Sequence, residues 1–174
     1  MKSKENKLLF NLKLKTMKKE FEIIAINWLP PMHIAYDTYL EAKTINLNKL
    51  ENSKNCLYQA YGDSMIYGKN KLLYIGKATD FISRLNNHIT TDFNRILNLT
   101  ITIGKFDKDI TIEEHLLEMI ENILICYVKP SYNSASLKDI HLPSKKTPIL
   151  ILNKGNRGSL PLECSNYWWL HNDK

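Results

Sequence analysis

The sequence predicts an α+β domain: a small antiparallel three-stranded sheet flanked by helices, with an extension at each end. Three observations carry this expectation. Two strand-like runs, Cys56 to Tyr61 and Lys71 to Ile75, flank a turn-rich stretch. Leu99-Thr100-Ile101-Thr102-Ile103 alternates apolar and polar residues, as a half-buried strand does. Leu116, Leu117, Ile120, Ile123, Leu124 and Val128 recur at helical spacing, a stripe that belongs to a core. The order strand, strand, helix, strand, helix folds most simply as helices packed on a small sheet.

Each element has a local reason. In the N-terminal arm Phe10, Leu12 and Leu14 alternate with Asn11, Lys13 and Lys15, a weak strand period. Pro30-Pro31 breaks the chain, and the mixed stretch from Ile34 to Leu50 is expected to be helical. Residues 62–70 hold Gly62-Asp63-Ser64 and Gly68-Lys69-Asn70 and predict a loop. A short helix is expected over 79–89, capped by Thr79 or Asp80. The longer helix begins near Thr111, carries Glu113 and Glu114 in its first turn, and ends before Pro130. After it, Ile149 to Leu152 predicts a short strand, followed by a Gly-rich turn and the aromatic cluster Tyr167-Trp168-Trp169. The chain thus divides into a basic arm and N-terminal extension (1–55), a core (56–133), and a C-terminal extension packed on that core (134–174).

The net charge of +6 sits at the ends. Residues 1–20 carry seven lysines against two glutamates, and the balance from 134 to 174 is again positive by three. Basic arms suit a polyanion, because a lysine on a phosphate releases condensed counterions; they equally suit a solubilising tail. Lys13, Lys15, Lys18, Lys19, Lys145, Lys146 and Arg157 are the candidate DNA contacts. No apolar run is long enough for a membrane span and no signal-peptide core is present, so the expected location is the cytoplasm of a bacterial or phage-infected cell. Cys56, Cys126 and Cys164 are odd in number and widely spaced, which supports neither a disulfide framework nor a zinc knuckle. Phosphate-binding Gly-Lys loops, Gly-x-Ser-x-Gly elbows and His-Glu-x-x-His helices are absent, which removes support from several enzyme classes.

Three polar residues stand out. Glu121 falls on the margin of the apolar helical stripe, where a carboxylate needs a cation, a donor or a metal; a structural ion pair would also serve. Glu118 projects further toward solvent. Arg84 and His88 are four residues apart and share a helical face, the ordinary explanation being a solvated pair.

Taken in order, these pieces resemble the GIY-YIG nuclease family. Tyr74-Ile75-Gly76 matches the family's Tyr-Ile-Gly, and Arg84-Leu85 with His88 matches its Arg-Leu-x-x-His. Glu121-Asn122, leading to Lys129-Pro130 and Tyr132-Asn133, resembles its glutamate helix and Pro-x-Tyr-Asn turn. The first motif departs from the pattern: Cys56-Leu57-Tyr58 stands where Gly-Ile-Tyr is usual, Tyr61 is the alternative tyrosine, and 62–70 resembles an insertion. The resemblance covers residues 56–133. It implies a metal-dependent endonuclease acting on double-stranded DNA, with Glu121 as the protein ligand of one Mg2+ or Mn2+. Tyr58 would act as general base or orient the attacking water, provided that Lys77 or His88 depresses its pKa. Arg84 would clamp the phosphate, Tyr74 would bond water or phosphate, Gly76 would permit close packing and Asn133 would brace the site. With no further domain recognisable, a type II restriction-like enzyme is the leading expectation. A homodimer on DNA would follow from it, with Ile149 to Leu152 and the aromatic cluster as contacts or, equally, as cover for the same chain's core. A structure-specific repair or recombination nuclease and a catalytically inactive nucleic-acid-binding module are the alternatives.

Overall fold

A computed structural model describes residues 22–36, 42–44, 54–106, 112–134 and 148–166. The middle of the chain follows the expected order. Strands β4 (Cys56–Ser64) and β5 (Gly68–Ala78) form a hairpin, but residues 62–70 are not a loop: both strands run on to a tight turn at 65–67. Helix α1 (Phe81–Thr90) follows, with Asp80 as its cap accepting from the Ser83 amide at 3.0 Å. Strand β6 (Leu97–Phe106) and helix α2 (Glu114–Val128) complete this segment. Strand β4 is central, with Tyr58 opposite Gly76 on β5 and opposite Ile103 on β6, both pairings antiparallel.

The expected three-stranded sheet is wrong in extent. Strand β6 does not end the sheet: β1 (Glu22–Trp28) and β2 (Met32–Tyr36) line its second edge, Trp28 opposite Gly104 and Met32 opposite Ile101. Strand β7 (Ile149–Gly155) then pairs in parallel along β1, β8 (Glu163–Ser165) pairs with β7, and β3 (Ala42–Thr44) pairs with β2. The described residues therefore form one curled, mixed, mostly strand-built sheet with two helices. The physical reason is the open edge that a three-stranded sheet would leave on β6, a row of amides and carbonyls needing partners. The Pro30-Pro31 break does not separate units. It bends one strand, and Leu29 N still donates to Ile103 O at 2.8 Å across the bend.

Two further expectations are corrected here. The helix expected over 34–50 is not found where that stretch is described; pairing with β6 and β3 prevails over local propensity. Ile149 to Leu152 is an interior strand held between β1 and β8, with Ile149 and Ile151 fully buried and Leu150 and Leu152 half-buried, so neither of its backbone edges is free for a dimer contact. The segments 8–15 and 167–169 lie outside the described residues.

Both sheet faces are covered. Ile24, Ile26, Trp28, Leu57 and Ile75 pack against the α2 stripe, including Leu117, Ile120 and Leu124. On the other face Tyr58, Ala60, Ile101 and Ile103 pack with Phe81, Leu85 and Ile89 of α1. Each fully buried Leu, Ile or Phe among these contributes about 1.5–3 kcal/mol. No helix among the described residues is long and apolar enough to cross a membrane.

The outer edge of β5 is what positions the site. Its outward groups recur every second residue, as pleating demands. Leu73 O accepts from Tyr132 N at 2.8 Å. Asn133 then acts as a short extra strand, its Oδ1 accepting from Ile75 N at 3.0 Å and its Nδ2 donating to Ile75 O at 2.8 Å. The Lys77 amide donates to Glu121 Oε1 at 2.9 Å. The Pro-Ser-Tyr-Asn turn after α2 is thus sewn to β5, which fixes Glu121 against the strand that carries Tyr74 and Lys77.

Candidate active site

An open cleft of about 580 Å3 lies where the edge of β5 meets both helices, lined by Lys77, Asp80, Ser83, Arg84, Asn87 and Glu121 among others. Lys77 faces α2, and its ammonium stands 3.5 Å from Glu114 and 3.4 Å from Glu118. Arg84 is exposed on α1 and lines the same cleft. Its guanidinium lies within electrostatic reach of Tyr58, of Tyr74 and of Glu121, so it links the two helices' contributions.

Behind Arg84 is an aromatic group. The rings of Tyr58 and Tyr74 stack with centroids 5.8 Å apart, and His88 lies 5.0 Å from Tyr74 and 6.1 Å from Tyr58. His88 is 4% exposed, stacks on Phe93, and its Nδ1 meets Asp92 Oδ2 at 2.8 Å. A carboxylate at Nδ1 fixes the neutral tautomer with that nitrogen protonated, leaving Nε2 as the acceptor. His88 Nε2 and Tyr58 Oη are both buried with no hydrogen-bond partner among the described residues. Although Arg84 and Tyr74 stand near enough to influence its ionisation, the Tyr58 hydroxyl makes no bond of normal geometry to either. Neither residue lines the cleft itself, and two orphaned polar atoms buried behind Arg84 are places for an ordered water.

Tyr61 belongs elsewhere. It projects from the opposite sheet face, where its hydroxyl donates to Gln59 Oε1 at 2.8 Å and accepts from Ser159 N at 2.7 Å. The first-motif tyrosine that meets Tyr74 and His88 is Tyr58.

The titrations follow from burial. Burial pushes the Glu121 carboxyl up to about 7, against the Lys77 amide and the Lys77 and Arg84 charges, which pull it down. Among the described residues Oε2 has no partner, so a half-buried carboxylate presents one oxygen toward a cation. This suits Mg2+, which takes one or two carboxylates and keeps water and phosphate as its other ligands. Burial holds His88 below its ordinary value; Arg84 adds to this and Asp92 opposes it, so the ring is neutral at pH 7. Burial also pushes the Tyr58 hydroxyl far above its ordinary value, with Tyr74 adding and Arg84 opposing. The expected general-base role needs that value lowered; of the two expected helpers His88 is neutral and Lys77 is turned to Glu114 and Glu118.

Gly76 is the close-packing position that the resemblance implied. A Cβ there would sit 2.6 Å from Tyr74 Cε1 and closer still to the Tyr58 hydroxyl. Gly76→Ala should therefore spread the tyrosine pair, lowering stability by about 2–3 kcal/mol, read as the shift in urea midpoint.

Of the candidate DNA contacts, only Arg157 lies in the described residues. It follows β7, half-buried, with Nη1 donating to Leu160 O. Lys13, Lys15, Lys18, Lys19, Lys145 and Lys146 fall outside them. Sequence reasoning missed Asp92, which orients His88, and the cleft positions of Asp80, Ser83 and Asn87. Helical spacing held a signal for each: Asp92 is four residues after His88, and Asp80, Ser83, Arg84 and Asn87 share a face.

Comparisons of the chain with protein-family models, curated proteins and solved structures returned no match.

Proposed function

We propose that this chain is a metal-dependent endonuclease of the GIY-YIG type that hydrolyses phosphodiester bonds in double-stranded DNA. The observation that carries the reading is convergence. Arg84 and Glu121, on different helices, line one cleft with Lys77, and Tyr58, Tyr74 and His88 cluster immediately behind Arg84.

Glu121 would hold the Mg2+ or Mn2+, which when bound supplies a Lewis acid and lowers the pKa of its water. The rest falls to the chain's own side chains. Arg84, always charged, pairs with the phosphate and stabilises the charge that builds on it. The Tyr58 hydroxyl stays protonated and so donates, orienting a water or a phosphate oxygen. His88 Nε2 is the open acceptor of the cluster and takes the proton, with Asp92 stabilising the imidazolium that forms. Tyr74 supplies a second hydroxyl, and Asn133 keeps β5 in place.

Sequencing the termini left on plasmid or phage DNA tests this. Cuts repeated at one sequence support a restriction-like enzyme, whereas DNA left intact with Mg2+ would remove the nuclease reading. The pH profile adds a second test. Glu121 must lose its proton to hold the metal, so at low Mg2+ cleavage should fall as pH drops through about 7. Because cation and proton compete for one carboxylate, raising Mg2+ tenfold should move that acid limb to lower pH. A limb that ignores Mg2+ would assign it to another group.

A further inference from the structure

Three consecutive apolar residues stand exposed at the tip of the β4–β5 hairpin: Met65 at 105%, Ile66 at 84% and Tyr67 at 49%. Other large exposed hydrophobic residues among those described occur singly. Turn positions usually take Gly, Asn, Asp, Ser or Pro, and an exposed apolar run is costly unless something covers it.

The tip is also braced. Ser64 Oγ accepts from the Ile66 and Tyr67 amides, each at 3.3 Å. Asp63 accepts from Asn70 N through Oδ1 and from Asn98 Nδ2 through Oδ2, each at 2.8 Å, which ties the hairpin to the start of β6. Gly68 at φ +92 and Asn70 at φ +48 supply the left-handed conformations that the reversal needs. A braced tip loses little freedom when it is inserted into something. Lys69 and Lys71 follow on the rising strand, both exposed, while the carboxylate of Asp63 is engaged by its two donors.

We propose that this hairpin is a wedge that enters the DNA duplex, with Met65 and Ile66 prising a base step apart, Tyr67 stacking on an exposed base, and Lys69 and Lys71 meeting the flanking phosphates. The inference rests on the DNA-cutting reading and deepens it. Charge complementarity selects the occupant: lysines beside an apolar tip fit a polyanion with an apolar interior. Unbranched and branched aliphatic side chains are the usual wedges between base steps, and the unstacking is offset by contacts that the kinked duplex gains. Gly68 and Lys77 are nine residues apart on β5, so the tip stands roughly 30 Å from the cleft. That spans on the order of nine base-pair steps. The kink should therefore lie away from the cut, at a fixed distance from it.

The test compares the wild-type chain with Met65→Ser/Ile66→Ser, using Ca2+ in place of Mg2+ to hold the complex uncut. An end-labelled duplex spanning a mapped cut reports bending by energy transfer, and 2-aminopurine placed at successive steps reports unstacking. Wild type should bend the duplex and brighten one 2-aminopurine position. The variant should lose both signals and bind about tenfold more weakly, with an unchanged melting temperature, since both side chains are exposed. Equal bending and unstacking by the variant would overturn the wedge while wild-type cleavage left the nuclease reading standing. Wild type that neither binds nor cuts DNA would overturn both. If light scattering of the free proteins showed that the variant halves the mass, the tip's occupant would be a second copy of this chain, and the wedge would fall.

Discussion

Replacing Glu121 with glutamine should abolish cleavage and make the protein more stable above pH 7. The loss of activity follows because a neutral amide at this position offers no charge to a divalent cation. Losing metal catalysis removes several kcal/mol of transition-state stabilisation, at least about a thousandfold in rate. The gain in stability follows from burial. The folded-state pKa, about 7, lies above the ordinary 4.5. Between those values the native state holds more protons than the unfolded chain, so stability falls as pH rises from 4.5 to 7 and stays lowered above 7. Glutamine carries no such charge and can still accept from the Lys77 amide. The difference at pH 8, discounted for partial exposure, is about 2 kcal/mol in favour of the variant, shrinking to nothing below about pH 4.5. Urea unfolding of both proteins at pH 4 and pH 8 measures it. A variant less stable than wild type at pH 8 would mean that Glu121 is a structural ion-pair residue.

Arg84→Ala should lower the single-turnover cleavage rate by about a hundredfold to a thousandfold, the usual effect of removing one charge-stabilising donor. Stability should change by less than about 0.5 kcal/mol, because the side chain is exposed on α1. Arg84→Lys should recover little of the rate, since an ammonium cannot reproduce the forked, bidentate grip of a guanidinium on phosphate. A rate restored by lysine would reduce Arg84 to a generic surface charge.

The parts of this molecule legible in its sequence are those whose cause is local. The α2 stripe, the Asp80 cap, the margin position of Glu121 and the strand period of 99–103 all follow from spacing within one element. What is not legible depends on partners distant in the chain. Ile24, Ile26 and Trp28 alternate as buried residues of β1, a strand signal that is readable before the Pro-Pro break but absent from the expectation above. The parallel pairing of β1 with β7 brings together segments more than a hundred residues apart, and no local pattern announces it. Residues 62–70 carry turn residues, yet Gly62 and Ser64 sit in a strand with register shifts on both sides. At the site, the positions of Tyr58, Tyr74, Arg84, His88 and Glu121 are readable as motifs. Their protonation is not, because burial by α1 and α2 sets it: Tyr58 is held protonated and His88 neutral.

The most direct measurement of the central claim is a cleavage assay on supercoiled plasmid at pH 8 in parallel reactions. Wild type with Mg2+ should nick or linearise the plasmid, while wild type with EDTA and Glu121→Gln with Mg2+ should leave it supercoiled. Plasmid left intact by wild type with Mg2+, or cut equally well by Glu121→Gln, would contradict the account.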